Sequence, residues 1–361
     1  MKLLLGCSAL LLGTPTLTLA QGEGGTDPDG WSEVDAELVA LEDADEEGDI
    51  QVSGWITTIW ADSDTVAPPA TTKLNGFFFD AIRVELDGER AGYSWKLSFD
   101  GFNGTTNIFD AYVRGPMGEN LTWTVGRFRA PFVRSGLMPE NRYLFLAPTR
   151  NGLLYRGRAI QTQGGMLHYN HDDHLAVQLA VQNGFDGTND EHMITARATA
   201  SIIGDGVPMI EGAYGAPDEL QGQAAIAFSD DSVLPKGQAL LAEAAFTYGR
   251  FYGAFEIADY DRDYTAADLG TGVITVPAQG RGNTTPWAIT GSALIDAADE
   301  WEAAVRHEDY DDLLGREVTT LGVNKYLNGH DAKLMFNWLY TNLSGATPSQ
   351  SLIAIGASVS F

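Results

Sequence analysis

The stretch Ile353-Ala-Ile-Gly-Ala-Ser-Val-Ser-Phe361 at the end of the chain alternates strictly between two kinds of residue. Every odd position in it is apolar, and every even position is small or polar. A period of two with one apolar face is typical of a half-buried β-strand. The pattern predicts that the chain ends on a strand with an aromatic last residue, as the closing strand of a β-barrel in an outer membrane does.

The first twenty residues have the composition of a secretory signal peptide. Lys2 supplies a positive start, residues 3–12 are mostly apolar, and Ala20 ends a small-x-small triplet. We expect cleavage after Ala20. The alternative is a lipoprotein box ending at Cys7, but cleavage there would leave almost no apolar region. Because Cys7 is the only cysteine, the mature chain is expected to have no disulfide.

Beyond the signal, the composition excludes several classes of protein. No run of 18 or more apolar residues remains, which argues against a transmembrane helix. The net charge of −27 argues against binding to nucleic acid.

Residues 21–50 hold twelve acidic side chains and no Lys or Arg. This acidic N-terminal segment is predicted to be a flexible or weakly helical periplasmic lead-in. The alternative, contact with cell wall or a partner, has no motif behind it.

From Gln51 onward, strands and turns dominate the pattern. In residues 93–100, 175–182 and 334–340, apolar and polar side chains alternate over most of each strand. Such alternation fits both a soluble sandwich and a membrane barrel, in which the apolar face is turned outward. Three features favour the barrel: aromatics near segment ends, strands of about 10 to 13 residues, and tight connections alternating with long ones.

The sequence therefore predicts an all-β fold, a transmembrane antiparallel barrel of sixteen strands, over residues 51–361. The stretch 203–220 is too long for the tight turn expected there. Tight turns are predicted at 88–91, 170–173, 297–299 and 328–330, and long loops at 62–76, 128–155 and 261–283. Strands are predicted near 51–61, 77–87, 92–102, 107–115, 120–127, 156–170, 174–183, 192–202, 221–230, 238–248, 250–260, 284–296, 300–310, 317–327, 331–342 and 350–361.

Several motifs occur in a recognisable order and spacing. One is the hairpin around Asp80-Ala-Ile-Arg-Val-Glu-Leu-Asp-Gly88, and another is Val125-Gly-Arg-Phe-Arg-Ala-Pro-Phe132 before a long loop. Thr320-Leu-Gly-Val-Asn-Lys-Tyr-Leu-Asn328 stands before the penultimate strand. Together these motifs resemble the phosphate-selective porin O and P family. The resemblance implies a trimeric, sixteen-stranded outer-membrane channel for small anions such as phosphate, narrowed by its third extracellular loop. The family's phosphate-binding members have a dense basic lining, for which this chain, with six lysines, shows no match.

The segment from Arg127 to Arg158 is the most unusual in composition. It holds seven of the sixteen arginines of a strongly acidic chain, and Glu140 is its only acid. Arginine is always charged and binds phosphate and carboxylate, and basic side chains at a constriction favour anions. The alternatives are binding of lipopolysaccharide phosphates and pairing with barrel acids. The predicted selectivity residues are Arg127, Arg129, Arg134, Arg142, Arg150, Arg156 and Arg158.

The remaining lumen is predicted to be mixed in charge. By strand parity, four basic residues face inward, namely Arg83, Lys96, Arg114 and Arg306. Six acids share that parity, namely Glu85, Asp100, Asp110, Glu243, Glu256 and Glu302. Arg127 and Arg129 share the lipid-facing parity of Val125, so either the chain turns inward near Gly126 or both side chains snorkel to the interface.

Two clusters raise the question of a metal. His168, His171 and His174 have metal-like spacing, but they straddle a predicted turn that would splay their side chains. Asp259, Asp261 and Asp263 begin like a calcium loop. However, Tyr264 stands where that loop needs Gly, and Gly270 where it needs its closing Glu. Neither cluster is predicted to be a metal site.

The sequence thus predicts an outer-membrane porin of a Gram-negative-type bacterium, for small hydrophilic solutes with anions favoured. It is expected to lie in lipid and lipopolysaccharide, and to have no catalytic step and no cofactor. The family resemblance implies that it is a homotrimer. One alternative is a general porin that is non-selective or prefers cations. Another is a structural or adhesive barrel anchored to the cell wall through residues 21–50. A barrel enzyme such as an outer-membrane lipase would need a His and a Ser set together on the outer, lipid-facing wall, and the strand pattern places no such set there.

Overall fold

The computed structural model describes most of the chain from Ile50 to the C-terminus. The described ranges are 50–63, 74–101, 106–154, 161–172, 174–184, 192–231, 238–261, 284–296, 298, 300–312, 315–343 and 349–361. The signal peptide and nearly all of the acidic N-terminal segment lie outside them. No helix among the described residues is long and apolar enough to cross a membrane.

Sixteen antiparallel strands close into one barrel, which confirms the predicted fold and strand count. The strands are β1 Gln51–Ser63, β2 Asn75–Arg90, β3 Tyr93–Asp100, β4 Asn107–Pro116, β5 Leu121–Arg129, β6 Gln161–Asn170, β7 Leu175–Asn183, β8 His192–Ile203, β9 Gln221–Asp231, β10 Gln238–Tyr248, β11 Phe251–Asp261, β12 Trp287–Leu294, β13 Trp301–Asp309, β14 Glu317–Asn328, β15 Ala332–Asn342 and β16 Gln350–Ser360.

The C-terminal strand closes the barrel, as its alternation predicted. β16 pairs with β15 on one side and with β1 on the other, with Trp55 opposite Ser360. Gly54 and Phe361 exchange two backbone hydrogen bonds of 3.0 Å each. With every strand paired on both sides, the barrel has no free sheet edge.

The apolar face of the strands is turned outward. On β10, Leu240 and Phe246 are exposed, whereas Leu241 and Glu243 between them are buried inside. Exposed aromatic side chains lie near both ends of the barrel, at Tyr93, Tyr169, Tyr248, Phe251, Trp301 and Phe361 at one end, and at Phe77, Phe79, Trp338 and Tyr340 at the other. In the band between them the exposed side chains are mostly aliphatic, with Phe255 and Phe336 among them. An apolar outer band between two aromatic belts is the surface of a barrel that spans an outer membrane.

The two ends of the barrel carry different connections. The end at which β1 begins and β16 ends, called the turn end below, has short connections except for residues 204–220. The other end, the loop end, carries longer connections, the longest being 130–160 and 262–286.

The turn predicted at 88–91 lies further along the chain. Pairing continues to Arg90 opposite Tyr93, and Ala91 and Gly92 form the turn with φ of 54° and 78°. Gly88 lies within the strand. A Cβ at this position would come within 2.5 Å of the Trp95 ring, so the position requires glycine.

Short helices lie in the connection between β5 and β6. They are α1 (Arg134–Leu137), a 3₁₀ helix (Glu140–Arg142) and α2 (Arg150–Leu154). Phe132 and Val133 pack inside the barrel with Leu241 and Tyr260 of its wall. Further along, Leu146 packs with Ile59, Met335 and other inward side chains of β1, β15 and β16. Residues 130–154 therefore lie in the lumen, and they are called the inserted connection below.

Candidate functional site: the lumen

The inserted connection crosses the lumen from the loop end to the turn end and back. At its deepest part, Asn141 donates to Ser360 Oγ at 3.0 Å, near the end of the last strand. The chain then runs along β15 toward the loop end, and Leu146 N donates to Asn337 Oδ1 at 2.8 Å. It returns to the loop end beside β13, where Arg150 N donates to Glu308 Oε1 at 2.7 Å. Inward polar side chains of the barrel thus satisfy its backbone groups.

Three charged side chains of distant segments meet around Glu140. Arg83 of β2 lies 3.2 Å from Glu140 Oε1 and 3.8 Å from Asp100 Oδ2. Its guanidinium carbon also lies 3.6 Å from the centroid of the Phe109 ring. Arg129 Nη2 lies 3.6 Å from the same Glu140 oxygen. The side chains of Arg83 and Glu140 are almost wholly buried, and those of Asp100 and Arg129 are 17% and 13% exposed. Together these contacts hold the inserted connection against β2 and β3.

Arg129 and Arg127 lie on the same face of β5 by parity but differ in their contacts. The guanidinium of Arg129 points into the lumen, where its Nη1 contacts the carbonyls of Gly136, Leu137 and Met138, the last at 2.7 Å. Arg127 stays half-buried and its Nε donates to the Phe109 carbonyl at 3.2 Å. The strand continues through both residues, and the carbonyls that Arg129 contacts place its guanidinium inside the barrel.

Arg134 is buried, with 5% of its surface exposed. Its Nη1 donates to Gln223 Oε1 at 2.9 Å, and its Nη2 to the Ile210 carbonyl at 3.0 Å. Its backbone N–H donates to Glu243 Oε2 at 2.9 Å. Carbonyls, rather than carboxylates, therefore surround this guanidinium.

Arg142 and Arg150 lie far apart. Arg142, at the deepest part of the inserted connection, is 3.2 Å from Asp331 and a third exposed. Arg150 is buried near the loop end, with its guanidinium 5.3 Å from the Tyr310 ring centroid. Arg156 and Arg158 lie outside the described residues. The predicted selectivity residues that are described thus lie at different depths along the barrel and do not form one ring.

Among the predicted basic residues of the lumen, Arg306 holds the returning half of the inserted connection. It donates to the Ala147 carbonyl at 2.9 Å, pairs with Glu308 at 3.0 Å and lies 4.6 Å from the Phe145 ring centroid. Lys333, which is not among the basic residues predicted for the lumen, donates to the Tyr143 carbonyl at 2.5 Å. Both side chains are buried and bind backbone, so they position the connection.

Lys96 and Arg114 lie on the part of the lumen wall that stays half-exposed. Lys96 Nζ is 2.8 Å from Glu85 and 3.5 Å from Asp87. Arg114 Nε donates to Thr124 Oγ1 at 3.1 Å, and no described carboxylate lies within ion-pair distance of its guanidinium. Its charge is therefore the least compensated of the four basic residues predicted for the lumen.

A polar cavity of about 390 Å³ lies on the turn-end part of β6–β9. Its lining includes inward residues of adjacent strands, among them Asn170, Thr199, Ser201 and Gln223. This part of the lumen has room for water and small hydrophilic solutes.

In the turn between β6 and β7, the described side chains of Asp172 and His171 bind groups of the turn and its neighbouring strand. Asp172 Oδ1 accepts from the backbone N–H groups of His174 and Leu175, and these hydrogen bonds lower the pKa of Asp172. His171 Nδ1 lies 3.1 Å from Tyr169 Oη. No group of three His, Cys, Asp or Glu within the described ranges could hold a metal ion. Most of the calcium-like stretch after Asp261 lies outside those ranges.

His330 lies in the turn between β14 and β15, against the inserted segments. Its ring packs on Tyr326 and Tyr214 with centroid distances of 5.2 and 5.9 Å. Lys333 Nζ lies 3.4 Å from Nδ1. Burial lowers the pKa of His330 to about 2, with smaller effects from Lys333 and Arg142. The ring is therefore neutral at physiological pH.

Solved structures with this architecture are numerous. The anion-selective porin from Comamonas acidovorans aligns with a TM-score of 0.61 at 14% identity, over 87% of this chain and all of that one. A loop-deletion mutant of OmpT, an outer membrane protein of Vibrio cholerae, aligns at 0.56 and 13% identity, again over 87% and 100%. A mutant of the Rh. blastica porin aligns at 0.52 and 12% identity with the same coverage. The fold is that of a porin.

At the level of sequence, the comparisons identify no family. No family model matches the chain, and no curated protein matches it. The resemblance to the phosphate-selective O and P family is therefore not confirmed, whereas the wider likeness to porin structures is. Identities of 12 to 14% with those structures establish the fold alone.

The position of residues 204–220 inside the lumen was not predicted from the sequence. This connection begins and ends at the turn end, yet Glu211 N donates to the Arg142 carbonyl at 3.1 Å inside the lumen. Val207 and Ala213 pack with Leu144 and Phe145 in one buried apolar cluster. The only signal in the sequence was a length too great for a tight turn.

Proposed function

We propose that the protein is an outer-membrane porin through which small hydrophilic solutes diffuse passively, with anions such as phosphate favoured. The observation that carries this proposal is the closed barrel with an apolar, aromatic-belted exterior and a polar lumen. A transmembrane barrel of sixteen strands is wide enough to leave an aqueous channel. An inserted connection narrows such a channel and gives it selectivity.

The proposed preference for anions depends on the basic groups that water can reach. Arg114 has no carboxylate partner among the described residues, and Arg142 is a third exposed at the turn end. The buried Arg129, Arg134 and Arg150 act mainly by fixing the inserted connection, and their charge adds to the field in the lumen. The name of the similar Comamonas acidovorans protein, an anion-selective porin, is consistent with this proposal.

One observation favours a cation-preferring or non-selective porin. Glu85 and Asp87 lie on the same half-exposed wall as Arg114, with Lys96 as their shared partner. Two carboxylates around one ammonium leave a local negative charge. In this second candidate function, the wall attracts cations and the arginines serve only to hold the inserted segments.

The extent of filling inside the barrel favours a third candidate, a structural barrel anchored to the cell wall. Both the inserted connection and residues 204–220 occupy the lumen. A barrel that these segments closed completely would not conduct.

Liposome swelling separates a porin from a closed barrel. Purified protein in phosphatidylcholine liposomes should admit small neutral sugars quickly and larger oligosaccharides slowly. Liposomes with heat-denatured protein are the control. Swelling no faster than in that control would favour the structural barrel and contradict the proposal.

Cross-linking in detergent tests the homotrimer that the family resemblance implies, and a monomer would leave the channel proposal intact.

A further inference from the structure

Residues 207–213 enter the lumen from the turn end and meet the inserted connection there. Glu211 contacts that connection twice, because its N–H donates to the Arg142 carbonyl and its Oε2 accepts from Leu144 N at 3.0 Å. Val207 and Ala213 lie in the apolar cluster that contains Leu144. Two segments from opposite ends of the barrel are therefore packed together.

Arg134 holds the first half of residues 207–213. Its two terminal nitrogens donate to the carbonyls of Val207, Pro208 and Ile210, and one of them also lies 3.4 Å from Met209 Sδ. A guanidinium presents five donors in a fixed planar fork, whereas an ammonium offers three donors from a single atom. One side chain of the inserted connection thus contacts four successive residues of the other segment.

Glu302 of β13 holds the second half. Its Oε1 accepts from Ala213 N at 2.6 Å, and Tyr326 Oη donates to its Oε2 at 2.5 Å. Gly212 has a φ of +108°, and a Cβ there would come within 2.9 Å of both Glu302 and Leu144. The segment is therefore fitted closely between the barrel wall and the inserted connection.

We infer that residues 207–213 are a second constriction element, which narrows the channel from the turn end and is held in place by Arg134. The inference rests on the proposed porin function. The clamp on the segment is a set of carbonyl contacts, so it depends on the geometry of the Arg134 side chain as well as on its charge. Loss of the clamp should release the segment and widen the channel.

Single-channel recording in planar bilayers tests this inference with three variants. Arg134→Ala removes the clamp, and Arg134→Lys keeps the positive charge but loses the fork. Lys325→Ala is the control, because Lys325 lies on the outer surface at the same end and pairs with Glu300. We expect a several-fold rise in conductance for Arg134→Ala, a smaller rise for Arg134→Lys and no change for Lys325→Ala.

A second measurement follows the segment itself. Val207 is buried, so Val207→Cys should react slowly with a water-soluble maleimide in detergent. Adding Arg134→Ala should speed this reaction at least several-fold, while adding Lys325→Ala should not. A folded barrel, checked by its heat-dependent gel mobility, is required of each variant.

The outcomes separate this inference from the proposed function. A conducting wild type with unchanged conductance and labelling in Arg134→Ala would overturn the inference and leave the porin intact. Faster labelling without conductance in either protein would support the clamp and contradict the porin. If Arg134→Lys matched the wild type in both measurements, charge alone would hold the segment and the fork would have no role.

Discussion

Arg142 Nη2 lies 3.2 Å from Asp331 Oδ1, so a residue from the loop end of the barrel reaches the turn between β14 and β15 at the opposite end. The side chains are 33% and 53% exposed, respectively. Such pairs contribute little to stability because water and salt screen them. The depth of the inserted connection therefore depends on its buried contacts, and this exposed pair marks the point that it reaches.

Arg142→Ala should accordingly change stability only slightly. We expect a loss of less than about 1 kcal/mol, as is usual for an exposed ion pair. Urea unfolding in detergent, followed by tryptophan fluorescence, measures this. Asp331→Asn is the matched variant and should behave alike. A loss several times larger for Arg142→Ala would mean that this pair anchors the connection.

Arg83→Met should be far more damaging. It removes the buried partner of Glu140 and Asp100, and breaking a buried ion pair costs on the order of 3 kcal/mol. The same urea unfolding measures this loss. The double variant Arg83→Met with Glu140→Gln leaves a smaller buried negative charge, so it should recover part of the stability. Equal losses in the single and double variants would show that the ion pair with Glu140 is unimportant.

Arg114→Ala should reduce the preference for anions without altering stability much. The side chain faces the half-exposed wall, and its only hydrogen bond to a described side chain joins it to Thr124 Oγ1. The zero-current potential in a KCl gradient should move toward that of a cation-preferring channel, whereas Lys325→Ala on the outer surface should leave it unchanged. The difference should shrink at 1 M salt, where the Debye length is about 3 Å. Equal potentials for Arg114→Ala and the wild type at low salt would remove Arg114 from the selectivity site.

Stability should depend on pH through His330. Its pKa in the folded protein is about 2, below the ordinary 6.5, so the unfolded chain binds the proton more tightly. Above about pH 6.5 the ring is neutral in both states, and its contribution to the free energy of unfolding is complete. As the pH falls toward the pKa of the folded protein, that contribution is lost by up to about 1.4 kcal/mol per pH unit. Urea unfolding between pH 4 and 7 should show a flatter pH profile for His330→Asn. His171→Asn, in an exposed turn, should keep the wild-type slope, and an unchanged slope in His330→Asn would contradict the account.

The barrel could be predicted from the sequence because each strand carries its own signal. Alternation such as that of Leu175 to Val181 depends only on neighbouring residues, and the structure places those side chains on the exterior. The long connection after β5 was also predicted, since the alternation stops near Arg129. Turn positions were harder to predict. Glycine at position 88 is a residue type common in turns, but it lies in β2, where the Trp95 ring leaves no room for a Cβ.

The arrangement inside the lumen could not be predicted in this way. The partners of the inserted connection are distant in sequence, as in the hydrogen bond between Arg150 and Glu308, 158 residues apart. Composition identified the arginines but gave no means of knowing that Arg134 would bind the carbonyls of Val207, Pro208 and Ile210. Whether a basic side chain lines water or holds backbone is decided by these tertiary contacts.

The zero-current potential of the wild-type protein across a planar bilayer, in a KCl gradient at low ionic strength, tests the central claim most directly. The account predicts stepwise current increments and a potential that indicates Cl⁻ permeating more readily than K⁺. A potential that indicates K⁺ preference would show that Glu85, Asp87 and the other acids of the lumen outweigh its arginines. A membrane that stays silent with correctly folded protein would contradict the porin itself.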